Sequence, residues 1–309
     1  MLLFVVRKLG TLITTLFAIS TLTFVCMHAL PGDPFLQEQP LSAEVLCNLR
    51  QHHRLDRPIL LQYVHFLHDA LQGNLGMSLQ HPSLSVASII RQGFPTSLAL
   101  GASALTFALI GGITFGTLAA WYRQSWPDRT MTWVAVIGIS IPAFVLAPLL
   151  QYVLAIRWPL LPIARWGSLA HAILPAVSLA IGPTTFIARL IRASMIDVLQ
   201  QDYIQMAQAK GLSTWTILTR HALRNALLPI IAYLGPLTAT LLTGSFGVEV
   251  TFGIPGLGKW FIASVCSRDY PTVMGVTLFY SVTLLVCVFL ADLLNMLIDP
   301  RQRRVKPVL

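Results

Sequence analysis

The chain has 309 residues, 55% of them hydrophobic and only 11% charged, with a formal net charge of +9. A soluble domain normally carries about a quarter charged residues, so this composition excludes an ordinary soluble enzyme and marks an integral membrane protein. Apolar runs then guide the organisation better than length does, because about 20 apolar residues in a helix match the roughly 30 Å hydrocarbon core.

Six such runs follow in chain order: Leu9–Leu30, Ser97–Trp121, Met131–Ile156, His171–Ala188, Leu228–Val248 and Thr272–Leu290. They predict an all-α integral membrane protein with six transmembrane helices. Arg7 and Lys8 precede the first run as they would in a signal peptide. The run nevertheless exceeds the h-region length of about 7–15 residues, and no A-x-A-like site follows.

Six spans place both termini on one side of the membrane. Arg7, Lys8, Arg123, Arg129, Arg189, Arg192, Lys210, Arg220, Arg224, Arg301, Arg303, Arg304 and Lys306 all fall on that side, which the positive-inside rule makes cytoplasmic. Arg50, Arg54, Arg57 and Arg91 lie in the long segment 31–96, where the rule carries little weight. Topology thus accounts for the positive charge, and no nucleic-acid partner is expected.

Residues 31–96 read as an external helical cap. The patches "AEVLCNLRQ" and "PILLQYVHFLHDAL" are punctuated by Pro34, Pro40, Pro58, Pro82, Gly73 and Gly76, and "PGDP" at 31–34 reads as a rigid turn. His52, His53, His65, His68 and His81 cluster here, with His65 and His68 on one helix face. Scattered surface histidines outweigh a metal site, so no metal or cofactor is expected. Of the cysteines Cys26, Cys47, Cys266 and Cys287, Cys47 and Cys266 fall in external loops. A disulfide between them is chemically allowed, but their positions do not establish that they meet.

In the second span Gly111, Gly112, Gly116, Ala119 and Ala120 make a small-residue surface suited to close helix packing. Pro142 and Pro148 in the third span fit either a bend in a pathway-lining helix or the accommodation of a neighbour.

After the fourth span, Met195, Val198, Leu199, Tyr203 and Met206 recur at helical spacing among polar residues and predict an amphipathic helix. Gly211 interrupts it. A second helix follows with Trp215, Leu218, Ala222 and Leu223 on one face, and Arg220 and Arg224 displayed elsewhere. Such a cytoplasmic hairpin either lies among lipid headgroups or docks as a knob into a groove on a partner.

The stretch "TFGIPGLGKWF", 251–261, has the G-x-x-x-x-G-K spacing of a phosphate-binding loop. Trp260 stands where the hydroxyl residue should be, and the segment falls outside the membrane without a preceding strand. Its glycines instead predict a re-entrant turn between the fifth and sixth spans, with Trp260 as an interfacial anchor.

The interiors of the six runs hold no Asp, Glu, Lys or Arg, so the ionisable groups of an ion-coupled transporter are missing. No selectivity motif of a channel is evident. Nor is there an H-E-x-x-H, a G-x-S-x-G or a paired carboxylate cleft, so the chain is not read as an enzyme. A pathway opened from outside the chain remains.

The segment "DYIQMAQAKGLSTWTILTRHALRNALLPII" resembles the cytoplasmic loop of permease subunits of bacterial ABC importers, in the peptide and nickel branch. "LPGDPF", "LDRPILLQY", "GNLGMSL", "FPTSLALG", "IPAFVLAPLL", "RASMIDVL", "PGLGKWF", "RDYP" and "DLLNMLIDPR" are similar to that branch in the same order, nearly end to end. Among its members the chain looks most like the first permease of an oligopeptide transporter.

The resemblance implies an ABC type I importer permease fold in the bacterial inner membrane. It implies one permease domain, 1–309, with a periplasmic cap at 31–96, a transmembrane core at 97–298 and a coupling loop at 189–228. Asp202, Tyr203, Ala207, Ala209, Lys210, Gly211, Leu212, Arg220 and Arg224 would form the loop that meets an ATPase. Glu249, Gly253, Pro255, Gly256 and Gly258 would form the periplasmic turn.

The implied partners are a homologous second permease, two cytoplasmic ABC ATPases, an external solute-binding protein, a peptide substrate and the lipid bilayer. Hydrolysis of ATP would belong to the separate ATPases. Gln205-Met206-Ala207 departs from the general E-A-A pattern, and Gln205 and Gln208 stand where this branch often carries Arg. That removes charge from the docking face and keeps its shape. A dipeptide or nickel permease, and a membrane scaffold or sensor that transports nothing, are the alternative readings.

Overall fold

A computed structural model describes residues 2–29, 44, 51, 55–243 and 246–298. Helices dominate them; the extended structure among them is an isolated antiparallel bridge between Met77 and Ser85. The chain divides into two compact units, Met1–Thr96 with Gly256–Leu285, and Ser97–Pro255 with Val286–Leu309.

In the first unit, α1 (Leu2–Ala29) is one uninterrupted apolar helix. The short helix α2 (Ile59–Leu71) starts after Pro58, whose fixed φ suits the entry to a helix. Tyr63 holds α2 to α1: its hydroxyl lies 2.6 Å from Thr21 Oγ1, and its ring packs 5.0 Å from Phe24. Gly73 and Gly76, at φ 77° and 84°, turn the chain into the bridge that precedes α3 (Val86–Trp121).

The start of α3 corrects the expected second span. The helix begins at Val86 rather than Ser97, because Val86, Ile89 and Ile90 bury an i, i+3, i+4 stripe within this unit. The polar Arg91 and Gln92 hid that stripe from a search for lipid-facing runs.

The second unit continues α3 and adds α4 (Trp126–Ser140) and α5 (Ala143–Gln151), the latter prolonged by a π-helical turn at Tyr152–Arg157. Then come α6 (Leu169–Leu199), α7 (Asp202–Ala209), α8 (214–226), α9 (Leu228–Thr243) and α10 (Phe246–Thr251). The first unit supplies α11 (Leu257–Cys266), and α12 (Tyr270–Ile298) passes from the first unit into the second.

The predicted third span is not one rod. Its two halves bend by 106° at Ile141–Pro142, so among the described residues five helices are long and apolar enough to cross a membrane, or six if the bent pair counts as one span. Ile141 is extended, at φ −98° and ψ 119°, as a residue before proline must be. Of the two proline readings the bend is realised at Pro142, whereas Pro148 is accommodated inside α5.

The small-residue surface of α3 packs on α6. A Cβ on Gly116 would stand 2.5 Å from the Ala188 carbonyl oxygen, and one on Gly112 2.6 Å from Ile187 Cβ. Only glycine permits that approach. The core of this unit gathers around α6, where Leu174, Ile187, Ile191 and Met195 are fully enclosed. "PGDP", Cys47, His52 and His53 lie outside the described residues, and with Cys47 the question of its pairing to Cys266.

Candidate functional site

The loop between α6 and α9 forms a helical hairpin, though not with the predicted faces. A single amphipathic helix through Met195 and Met206 was expected. Instead α6 ends at Leu199, and α7 restarts at Asp202 after the extended Gln201. The break resets the helical phase, so Met195 is fully buried while Met206 is 61% exposed. Ile204 and Ala207 are the residues of α7 that turn inward.

Gly211 lies at φ 75° and reverses the chain, with its N–H donating to the Gln208 carbonyl at 2.9 Å. The left-handed region is open to glycine without penalty. Close packing at Gly211 is not observed, since no atom lies within 4 Å of a Cβ built there. Ser213 then caps α8 by accepting from Thr216 N–H.

The face predicted for α8 is also redrawn. Residues Ile217–Ala222 are π-helical, and the wider turn brings Ile217, Leu218, Ala222 and Ala226 inward while Trp215 stays 75% exposed. Asn225 Nδ2 donates to the Tyr203 hydroxyl at 2.8 Å and ties the two helices. Asp202, Ala209, Lys210, Arg220 and Arg224 are exposed, as is Leu212. The hairpin thus offers Tyr203, Met206, Leu212 and Trp215 as apolar contacts on a surface carrying both signs of charge.

The hairpin stands on an ion pair. Arg192, two turns before the end of α6, donates from Nε and Nη2 to the two carboxylate oxygens of Asp128 at 2.5 and 2.8 Å. Gln124 N–H adds a third bond at 2.9 Å, from a residue at φ 65°. The paired contact fixes the first turn of α4 to the stem of the hairpin. Further along the same two helices and α9, a cavity of about 310 Å³ is lined by Ile139, Pro183, Phe186, Tyr233, Pro236 and Thr240 among others, none of them charged. The Phe186 and Tyr233 rings pack there at 4.4 Å.

The residues of the expected turn take separate roles. Glu249 is completely buried in α10, where its carboxylate accepts from Ser97 Oγ at 2.8 Å. Gly253, at φ 63°, and Pro255 are exposed, and the Ile254 N–H returns to the Glu249 carbonyl. Gly256 caps α11, and Gly258 is buried in its first turn. A Cβ on Gly93 of α3 would meet Leu257 N at 3.0 Å. Another helix therefore covers the backbone that a phosphate would need, and the segment is no nucleotide cradle. Trp260 is half-buried, edge-on to His81 at 5.6 Å.

Residues 112–304 match the family of binding-protein-dependent transport system inner membrane components, and residues 1–101 match the N-terminal family of the same systems. The chain belongs to this family. The permease is accordingly a multi-pass protein of the bacterial inner membrane.

It is 45% identical over 298 residues to the dipeptide transport system permease protein DppB of Bacillus subtilis, covering 96% of this chain and 97% of that one. It is 38% identical over 305 residues to the oligopeptide transport system permease protein OppB of Haemophilus influenzae, covering 98% and 100%. Its fold is similar to the MetNI methionine ABC transporter in inward-facing form, with a TM-score of 0.54, 21% identity, and 68% and 94% of the two chains covered. An amino acid ABC transporter matches at a TM-score of 0.53, with 20% identity and the same coverage.

Two polar centres of the permease escaped the sequence reading. One is the Asp128–Arg192 pair, in which Arg192 had counted toward orientation and as the first residue of the motif "RASMIDVL", with no partner assigned. Asp128 is the sole acidic residue between Asp69 and Asp197, and that isolation was the available signal. The other is Asp269, 2% exposed, which accepts from Ser78 Oγ at 2.5 Å, Leu79 N at 3.0 Å and Thr272 Oγ1 at 2.7 Å. It joins "GNLGMSL" to "RDYP", two motifs separated by about 190 residues of chain.

Proposed function

We propose that this permease forms half of the pathway of an ATP-driven peptide importer and that its cytoplasmic hairpin transmits the stroke of a separate ATPase. The observation that carries the reading is end-to-end similarity to permeases named for dipeptide and oligopeptide transport, over 96% or more of the chain. The hairpin supplies the physical counterpart: Tyr203, Met206, Leu212 and Trp215 project from a short, internally braced unit, as a knob entering a partner's groove would.

On this reading ATP closes two ATPase subunits, which displace α7. The Asp128–Arg192 pair carries the displacement into α4, and the bent span rocks with α6. The uncharged cavity beside Phe186 and Tyr233 belongs to the pathway, where the absence of fixed charge suits cargo whose side chains vary. A homologous permease completes the pathway, and an external binding protein delivers the peptide. Selection of peptide length rests largely with that binding protein.

The test is reconstitution of the permease with its partner permease, two ATPases and binding protein in vesicles, followed by uptake of labelled di-, tri- and pentapeptides. ATP-dependent accumulation of peptide is expected, and competition among the lengths separates oligopeptide from dipeptide transport. Uptake of nickel but not peptide overturns the substrate, and uptake without the ATPases overturns the mechanism.

A further inference from the structure

Helix α2 turns several polar residues inward, beside Tyr63 and Phe66, and leaves a largely apolar side outward. Gln62, His65 and Asp69 share one face at i, i+3 and i+7, and that face turns inward to line a cavity of about 170 Å³ with Phe24, His28 and Met274. Leu60, Val64 and Leu71, at i, i+4 and i+11, face outward and are 74%, 54% and 88% exposed. No residue of α2 is buried; the outward stripe carries no Lys or Arg, and its polar member is the exposed His68, which lies 3.1 Å from Gln72 Nε2 through its own Nε2. A helix standing in water presents the opposite arrangement.

The inward polar groups are engaged. Gln62 Nε2 donates to the carbonyls of Leu55 and Arg57, at 3.2 and 2.7 Å. His65 meets the Leu61 carbonyl through Nδ1 at 2.6 Å and Arg57 through Nε2 at 3.1 Å. Gln62 Oε1 also lies 3.3 Å from His28 Nε2 of α1, and that contact, with Tyr63 against Thr21, turns this side of the helix toward α1 and the leucine side outward.

The depth of α2 identifies what covers that face. Its Tyr63 hydroxyl lies 2.6 Å from Thr21 Oγ1, and the ring is 6.4 Å from that of Phe17. Thr21 is eight residues inside the Ala29 end of the apolar span Val6–Ala29, a drop of about 12 Å at 1.5 Å per residue. A tyrosine side chain is shorter than that drop. With the Thr21 side chain and the hydrogen bond added, the reach from Tyr63 to α1 about equals that drop, so α2 lies near the level of the outer end of the span, in the interfacial layer.

We infer that α2 is an interfacial helix, with Leu60, Val64 and Leu71 embedded in the leaflet at the Ala29 end of α1 and covered by phospholipid acyl chains. It anchors this part of the permease to the bilayer as an amphipathic in-plane helix does, a role that the reading of residues 31–96 as an external helical cap did not include.

The full-length permease, with its native cysteines replaced by serine and single cysteines introduced as Leu60→Cys, Val64→Cys or Leu71→Cys, tests this in phosphatidylethanolamine–phosphatidylglycerol vesicles. Ile13→Cys, on the exposed face of α1, reports lipid, and Lys259→Cys, on α11, reports water. Bimane at the three α2 positions should be quenched by brominated acyl chains to within about twofold of Ile13→Cys, and an impermeant maleimide should react at least about tenfold more slowly than at Lys259→Cys.

Reaction at the Lys259→Cys rate without quenching means water, and overturns the inference. Protection without quenching, in the permease alone or only after partner subunits are added, means a protein covering and overturns it too. A second measurement uses the unmodified chain: phospholipids with acyl-chain diazirines should leave adducts on residues 59–71, and their absence beside adducts on α1 overturns the assignment.

Discussion

Asp128 shows how much one side chain organises. Its side chain is 6% exposed against 33% for Arg192, and three donors converge on its two oxygens. Removing one partner of a fully buried pair costs about 3–5 kcal/mol, and partial exposure of the guanidinium lowers that figure through solvent screening. Asp128→Asn is expected to destabilise the permease by about 2 kcal/mol, the range of hydrogen bonds to charged groups. Arg192→Lys keeps the charge, loses the planar fork and should cost about 1 kcal/mol. Thermal unfolding of the purified variants in detergent checks the order, and a larger loss in Arg192→Lys than in Asp128→Asn would contradict it.

At the scale of elements, two kinds of glycine are at work. Gly116 is a contact glycine, because the Ala188 carbonyl oxygen would lie 2.5 Å from any Cβ and helix backbones cannot shift as the tip of a side chain can. Gly211 is a conformational glycine, with open space around it and a φ of 75°. Gly116→Val is therefore expected to separate α3 from α6 and lower stability by about 3 kcal/mol, the upper part of the overpacking range. Gly211→Ala should cost only the left-handed strain of about 1–2 kcal/mol. Yield of monodisperse protein and thermal midpoints distinguish the two; equal losses would mean that Gly211 is also packed. The bend of the third span belongs to this scale as well, since Pro142 removes a backbone donor while Ile141 before it leaves the helical region.

For the molecule as a whole, exposed apolar groups have different meanings in different places. Ile13 and Phe17 lie along a membrane span, where exposure to lipid carries no penalty. Met206 and Trp215 project from the α7–α8 hairpin, which no apolar span includes. Burying such side chains is worth about 1.5–3 kcal/mol each. Replacing both by serine should weaken ATPase association at least about tenfold, since about 1.4 kcal/mol is tenfold. The thermal midpoint of the permease should barely move, because neither side chain packs in the core. Co-purification with the ATPases measures the first and unfolding in detergent the second; undiminished association would remove this face from the docking surface.

By itself the sequence determined what depends on the order of residues along the chain. Apolar run length set the membrane class, and the ordered motifs identified the family. The small residues at 111–120 announced a helix contact, and Gly211 announced a reversal. Tertiary structure decided whatever depends on a partner far along the chain. Asp128 meets Arg192 and Asp269 meets Ser78 only after folding, and no local periodicity encodes those pairings. The inward face of α7 was likewise out of reach, because the break after Leu199 resets the phase that a periodic reading carries forward. Even α2, read as helical from the sequence, revealed which side it turns toward α1 only once Tyr63 was found against Thr21. Periodicity shows that a helix has two faces, but the direction of each is fixed by the neighbours it packs against.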